Sequence, residues 1–206
     1  MTRHLLFAIA LAATPALATS QQFTGATPTT RIPAPLLQDT TGRFLAVIAH
    51  LGDDLYISGQ PTERGLRDLK AEGVTTVVNL RTPEEMQRIK FDEPALAASL
   101  GMKYVAIPMR GNAQFPYSPE AVSRFADALR SANGKVLLHC TVAWRASHLW
   151  AAYLIKERGV SVDSALANAR AINLMDEHRQ GNGPLPVEEF LGRRLPQLAS
   201  ASSPQD

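Results

Sequence analysis

The stretch KVLLHCTVAWRAS, residues 135–147, together with the helix-forming run after it, constrains this chain more than any other feature. KVLLH is continuously apolar at its centre, as a strand buried on both faces of a parallel sheet must be. Beyond a short turn, Leu149, Trp150, Ala151, Ala152, Tyr153, Leu154 and Ile155 leave a helix over roughly 146–158 with almost no polar side. Such a helix has to be covered all round, which places it inside a layered structure. The rest of the chain supplies the layers. LYIS at 55–58, TTVVNL at 75–80 and KYVAIP at 103–108 read as strands. Thr62 caps a helix that runs to Ala71 and ends at Gly73, and a helical stretch covers about 83–100, broken at Pro94 and closed by Gly101. Ser118-Pro119-Glu120 sets a cap, a first-turn proline and an acid in order, opening a helix to about Ser131. A last helix is expected over 162–176, after Gly159 and the capping Ser161. Strands alternating with helices predict one α/β domain over 39–198, a mainly parallel central sheet flanked by helices.

The ends read differently. Arg3, the apolar run Leu5–Ala13 and Ala16-Leu17-Ala18 form a signal peptide over 1–18, cut after Ala18. The run is far short of the roughly 20 residues that cross a bilayer, and no other stretch of the chain reaches that length, so no membrane span is expected in the mature chain. A periplasmic or secreted location follows. Residues 19–38 read as a flexible leader and 199–206 as a disordered tail. The formal net charge of +2 is interspersed rather than clustered, which argues against nucleic acid. The five histidines show no ligand spacing, so neither metal nor cofactor is expected. Oligomeric state is not legible.

Cys140 is the only cysteine. It cannot form an internal disulfide, and an unpaired thiol outside the cytoplasm is open to oxidation. A buried inert cysteine is the plain alternative. Its position favours chemistry, because ligands in open α/β sheets gather beyond the carboxyl ends of strands. The amides of Thr141, Val142, Ala143, Trp144 and Ala146 are expected to converge on an anion at a helix N-terminus. A free thiol titrates near about 8.5, and such a site stabilises its thiolate. Arg145 stands where its guanidinium would grip two oxygens of a tetrahedral oxyanion. His139 is placed to polarise the site or to point into the core.

HCTVAWRAS, LYISGQPT and VVNLRTPEE together resemble the bacterial phosphatase-like family related to dual-specificity protein tyrosine phosphatases, the group found beside or fused to beta-lactamase-hydrolase-like enzymes. The resemblance spans about 50–175. It implies a cysteine-phosphatase fold, with Cys140 as nucleophile and Arg145 as phosphate clamp. The chain departs from the pattern in four places. Four residues separate Cys140 from Arg145 where tyrosine phosphatases generally have five, a length that rhodanese sulfurtransferases use. Ala143 stands where many relatives have glycine. The hydroxyl that usually follows the arginine is displaced past Ala146 to Ser147. The loop IPMRGNAQFPYSPE lacks the aspartate that usually protonates the leaving group. Glu120, the nearest acid, reads more simply as a helix-start residue.

Arg110 in that loop is a candidate for attracting anionic substrates. Arg81, Glu84 and Glu85 follow a strand end and either line the same rim or form a helix-start cluster. Three functions stay open. The first is a cysteine-dependent phosphatase acting on a phosphorylated protein or small phosphomonoester. The others are a rhodanese-like sulfurtransferase using a Cys140 persulfide, and a non-catalytic phosphate- or anion-binding module.

Overall fold

The structure, a computed structural model, describes residues 37–51, 54–175 and 183–199. The expected signal segment, most of the leader and the tail beyond Ala199 lie outside the described residues. Six strands, β1 (Leu37–Gln38), β2 (Val47–Leu51), β3 (Leu55–Ser58), β4 (Val74–Asn79), β5 (Lys103–Ala106) and β6 (Lys135–His139), form one sheet in the order β1-β2-β3-β6-β4-β5. β6 is central and runs parallel to both neighbours, and β4 pairs parallel with β5. In register, Ser58 of β3 and Asn79 of β4 flank His139. Three strands therefore end side by side, and the residues just past those ends are brought together.

Helices cover both faces. α1 (Glu63–Ala71) and α3 (Glu93–Ser99) close one of them over Leu66, Leu69, Val77, Ala97 and Leu137. α4 (Pro119–Arg130), α5 (Trp144–Arg158), α6 (Val162–Ile172) and α7 (Pro186–Leu191) close the other, with α5 packed on α4, α6 and α7. Successive residues of β6 alternate between the two cores: Val136 and Leu138 face one, Leu137 the other. α5 is buried continuously from Arg145 to Leu154, as the apolar run at its centre requires.

Several boundaries differ from the sequence reading, each for a local reason. Leu37 and Gln38, assigned to the leader, form β1 and pair with β2. β1 and β2 are antiparallel additions to the parallel core. Pro94 starts a helix instead of breaking one: Asp92 caps α3 through the Ala95 N–H, and proline fits the first turn, where its missing N–H costs nothing. The break falls earlier, between α2 (Pro83–Met86) and α3. α5 begins at Trp144, two residues early, and α6 stops at Ile172. α7 and α8 (Pro196–Ala199), short and proline-led, were not anticipated.

Gly65 marks the tightest approach of backbone to helix. A Cβ there would sit 1.9 Å from the Arg43 carbonyl oxygen, which also accepts the Thr62 N–H at 2.9 Å. Gly65→Ala is expected to cost about 1–3 kcal/mol through this overlap, read as a lower urea midpoint with an unchanged m-value.

Candidate active site

Cys140 follows β6 directly, is 1% exposed, and donates its N–H to the Ser58 carbonyl at 3.3 Å. The chain then turns sharply. Ala143 is the one described non-glycine residue with positive φ, at 66°, and is itself the N-cap of α5. Its methyl cannot cap, and the first intrahelical bond runs from the Ser147 N–H to the Ala143 carbonyl at 2.9 Å. The amides of Trp144, Arg145 and Ala146 therefore stand outside the helical ladder, where they suit an anion. A glycine here would take the left-handed conformation without strain. Alanine adopts it at a cost of roughly 1–2 kcal/mol.

Three contacts hold the turn from outside. The Gln60 N–H donates to the Thr141 carbonyl at 3.1 Å, and Asn173 Nδ2 donates to the Val142 carbonyl at 2.6 Å. Gly59 bridges Val142, and a Cβ on Gly59 would meet the Thr141 oxygen at 2.8 Å. Only a glycine lets the strand end approach the loop this closely.

Arg145 is 8% exposed, and its guanidinium is fixed on all but one side. Nη1 donates to Glu85 Oε2 at 2.8 Å and to the Met109 carbonyl at 2.7 Å. Nη2 donates to Glu85 Oε1 at 2.8 Å and to Thr141 Oγ1 at 3.1 Å. The terminal fork that the sequence assigned to an oxyanion grips Glu85 instead. Among the described residues the Arg145 Nε–H has no acceptor. Burial works against the charge of Arg145, but the Glu85 hydrogen bonds and the Cys140 sulfur outweigh it and raise its pKa. Arg81 also lies within electrostatic reach of that sulfur; burial comes first in lowering its pKa.

Glu85 was half-anticipated as a rim or helix-start residue, and it is both. It closes the capping box of α2 with Thr82, accepting the Thr82 N–H at 2.9 Å, and it anchors Arg145. Burial would raise its pKa, but Arg145, the Thr82 N–H and Arg81 together hold it at about 2.

The other candidates fall as follows. His139 takes the core-facing of its two expected orientations: its Nε2–H donates to Glu93 Oε1 at 2.8 Å, with both side chains at 0% exposure. The Ser147 hydroxyl turns back to the Trp144 carbonyl at 2.7 Å and leaves the site to others. Arg110 is exposed and sits within reach of Glu84 on the rim. Arg81 is buried, donating through Nη1 to Gln60 and through Nη2 to the Glu85 carbonyl at 2.9 Å. Val142 is an exposed apolar residue on the rim, and the half-buried Trp144 packs edge-on against His148. Glu120 stays exposed in the first turn of α4.

The sequence missed Gln60, Glu93, Asn173 and Tyr117. Tyr117 belongs to the loop that lacks an aspartate, packs edge-on against Phe190, and feels both Arg145 and Cys140. Burial, opposed by Arg145 and aided by Glu189 and Cys140, pushes it up to about 12, so its hydroxyl keeps its proton at neutral pH. A basic cavity of about 600 Å³ between β5 and α4, lined by Lys103, Arg124 and Arg130 among others, includes no residue of the cysteine loop.

A buried strand-end thiol, a helix N-terminus and a fixed arginine on a mainly parallel sheet define the class of cysteine phosphatase-like α/β domains. Residues 51–183 match the family described as "DSP-PTPase phosphatase fused to NAD+ Kinase", and the chain belongs to that family. A solved DUF442 protein from Shewanella putrefaciens CN-32 is 25% identical, with a TM-score of 0.51 over 75% of this chain and 91% of its own. TpbA from P. aeruginosa, solved in complex with pTyr, is 20% identical with a TM-score of 0.56, covering 84% of this chain and 100% of its own. PTPMT1 shares the fold at 17% identity and a TM-score of 0.54, over 75% of this chain and 98% of its own. No curated protein matches the chain.

Glu85 also yields a pH dependence. Its carboxyl lies near 4.5 when unfolded and near 2 when folded. A depressed folded pKa contributes stability above the unfolded value, and that stability is lost as pH falls through the folded one. Urea titrations should therefore show stability declining from about pH 4.5 towards pH 2. Glu85→Gln should flatten that part of the curve and lower stability at pH 7.

Proposed function

We propose that this protein is an exported cysteine-dependent phosphatase that hydrolyses phosphomonoesters through a phosphocysteine intermediate. The observation that carries the reading is the Arg145 guanidinium, locked by Glu85 beside the Cys140 sulfur with Nε–H left for an oxyanion. Membership of the phosphatase family supports the reaction class, and the signal-like N-terminus supports export.

In this mechanism the Cys140 thiolate attacks phosphorus, and a sulfur–phosphorus bond forms as the bond to the leaving oxygen breaks. First-turn amides of α5 and Arg145 Nε–H take the charge that builds on the equatorial oxygens. Water then attacks phosphorus, the sulfur–phosphorus bond breaks, and inorganic phosphate leaves with the thiolate regenerated.

The loop over 107–118 contains no carboxylic acid to protonate the leaving oxygen. A positioned acid is worth about 10²–10⁴-fold, so turnover is slow and favours aryl phosphates, whose phenolates leave without one. A phosphotyrosyl group meets that requirement. The four-residue loop supports a second reading, sulfur transfer through a Cys140 persulfide.

The purified protein, with Cys140→Ser and Arg145→Ala beside it, is to be given para-nitrophenyl phosphate, an alkyl phosphate, and thiosulfate with cyanide. The phosphatase reading expects aryl-phosphate turnover well above alkyl, abolished in Cys140→Ser and reduced about 10²–10³-fold in Arg145→Ala. Thiocyanate formation without phosphate release would transfer the assignment to a sulfurtransferase.

A further inference from the structure

Of the two orientations open to His139, the ring takes the one into the core, buried against Glu93. What lies behind the loop explains why. Glu93 Oε1 accepts from His139 Nε2–H at 2.8 Å, and Glu93 Oε2 accepts from Gln60 Nε2. Gln60 Oε1 in turn accepts from Arg81 Nη1. Arg81 Nη2 donates at 2.9 Å to the carbonyl of Glu85, whose carboxylate holds Arg145, and Arg145 Nη2 reaches Thr141 Oγ1 at 3.1 Å. The path leaves the chain one residue before Cys140 and returns one residue after it.

Every link in this path has a defined polarity. A carboxylate only accepts and a guanidinium only donates, so the Gln60 amide has one orientation, oxygen towards Arg81 and nitrogen towards Glu93. The second Gln60 amide hydrogen goes to the Pro61 carbonyl at 3.1 Å, leaving that side chain fully satisfied. Gln60 and Glu93 are 1% and 0% exposed, so water does not compete for these bonds. Asn79 Nδ2 donates to the Tyr104 hydroxyl at 2.7 Å, and Tyr104 lies near enough to Glu93 to favour its ionised form.

We propose that Glu93 and Gln60 are positioning residues for Arg145: through Arg81 and Glu85 they close a hydrogen-bonded circuit that ties both ends of the cysteine loop together. The proposal rests on the phosphatase reading for its kinetic consequences only. Neither residue touches substrate. Their effect is to hold the guanidinium where the transition state needs it, so their loss shows in kcat more than in KM.

Glu93→Gln keeps the volume but adds a donor, which forces His139 to switch tautomer or Gln60 to flip its nitrogen onto Arg81. Gln60→Met cuts the circuit at its middle without a new donor. Both are expected to lower kcat for para-nitrophenyl phosphate by about 10–10²-fold with KM changed far less. In a Glu85→Gln background, where Arg145 is already released, Glu93→Gln should have little further effect on kcat. Leu55→Ala, at the amino-terminal end of β3 and three residues from the strand end that holds the circuit, serves as a stability-matched control that lowers the melting temperature and leaves kcat alone.

Folded Glu93→Gln and Gln60→Met variants with wild-type kcat would overturn the proposal, as would kcat losses from Glu93→Gln and Glu85→Gln that simply multiply. A parallel urea-unfolding cycle on Glu93→Gln and Glu85→Gln needs no substrate. Non-additive stability losses there support the circuit even if the wild-type protein turns over no phosphoester, and additive losses count against it.

Discussion

The bidentate pair between Arg145 and Glu85 is the interaction on which the site depends. A guanidinium in a nearly closed environment without a carboxylate would leave a buried charge uncompensated, a lesion of about 3–5 kcal/mol. Glu85 meets that need from a four-residue helix that could not hold its shape unaided. The same carboxylate completes the capping box of α2, so helix and arginine are fixed by one group. The planar fork matches the carboxylate edge to edge, a geometry a lysine could not reproduce. Arg145 is thereby aimed before any substrate arrives.

Much of the fold was legible because its constraints are local and strong. The apolar centre of KVLLH, the all-round apolar helix after it, and the caps at Thr62, Ser118 and Ser161 each depend on nearby residues alone. Errors cluster where the deciding information is distant. β1 and β2 are specified by pairing with each other and with β3, which a window of a few residues does not contain. Pro94 was read as a breaker because its helix-starting role depends on Asp92 serving as cap two positions earlier.

The site divides in the same way. Cys140, Arg145 and the loop amides lie within seven residues, and their order on the chain is their order in space. Glu93 stands 46 positions from His139, and Gln60 and Arg81 are 21 apart. Parallel register alone brings the ends of β3, β4 and β6 together, and no motif spacing encodes it. Gly59 stands in the LYISGQPT motif, but the demand on it comes from the Thr141 carbonyl, which only the folded sheet places beneath it.

The short loop and the strained alanine belong to one solution. With four residues between thiol and arginine, the chain has to enter α5 at once, and the left-handed Ala143 makes that turn. A non-glycine residue persists in that region only where its surroundings overdetermine it. Here Gln60, Gly59 and Asn173 all hold the adjacent carbonyls or backbone. Around the loop, the charges of Arg81 and Arg145 are matched by those of Glu85 and Glu93, so the oxygens of a phosphoryl group would find no net positive side-chain excess in this cluster. What remains to receive them is directional: the first-turn amides of α5 and one guanidinium N–H, all fixed in advance. Dipoles that do not reorganise are the form of stabilisation that acts most on a transition state. A site with little net charge and no carboxylic acid in the 107–118 loop therefore depends on how rigidly those few donors are held.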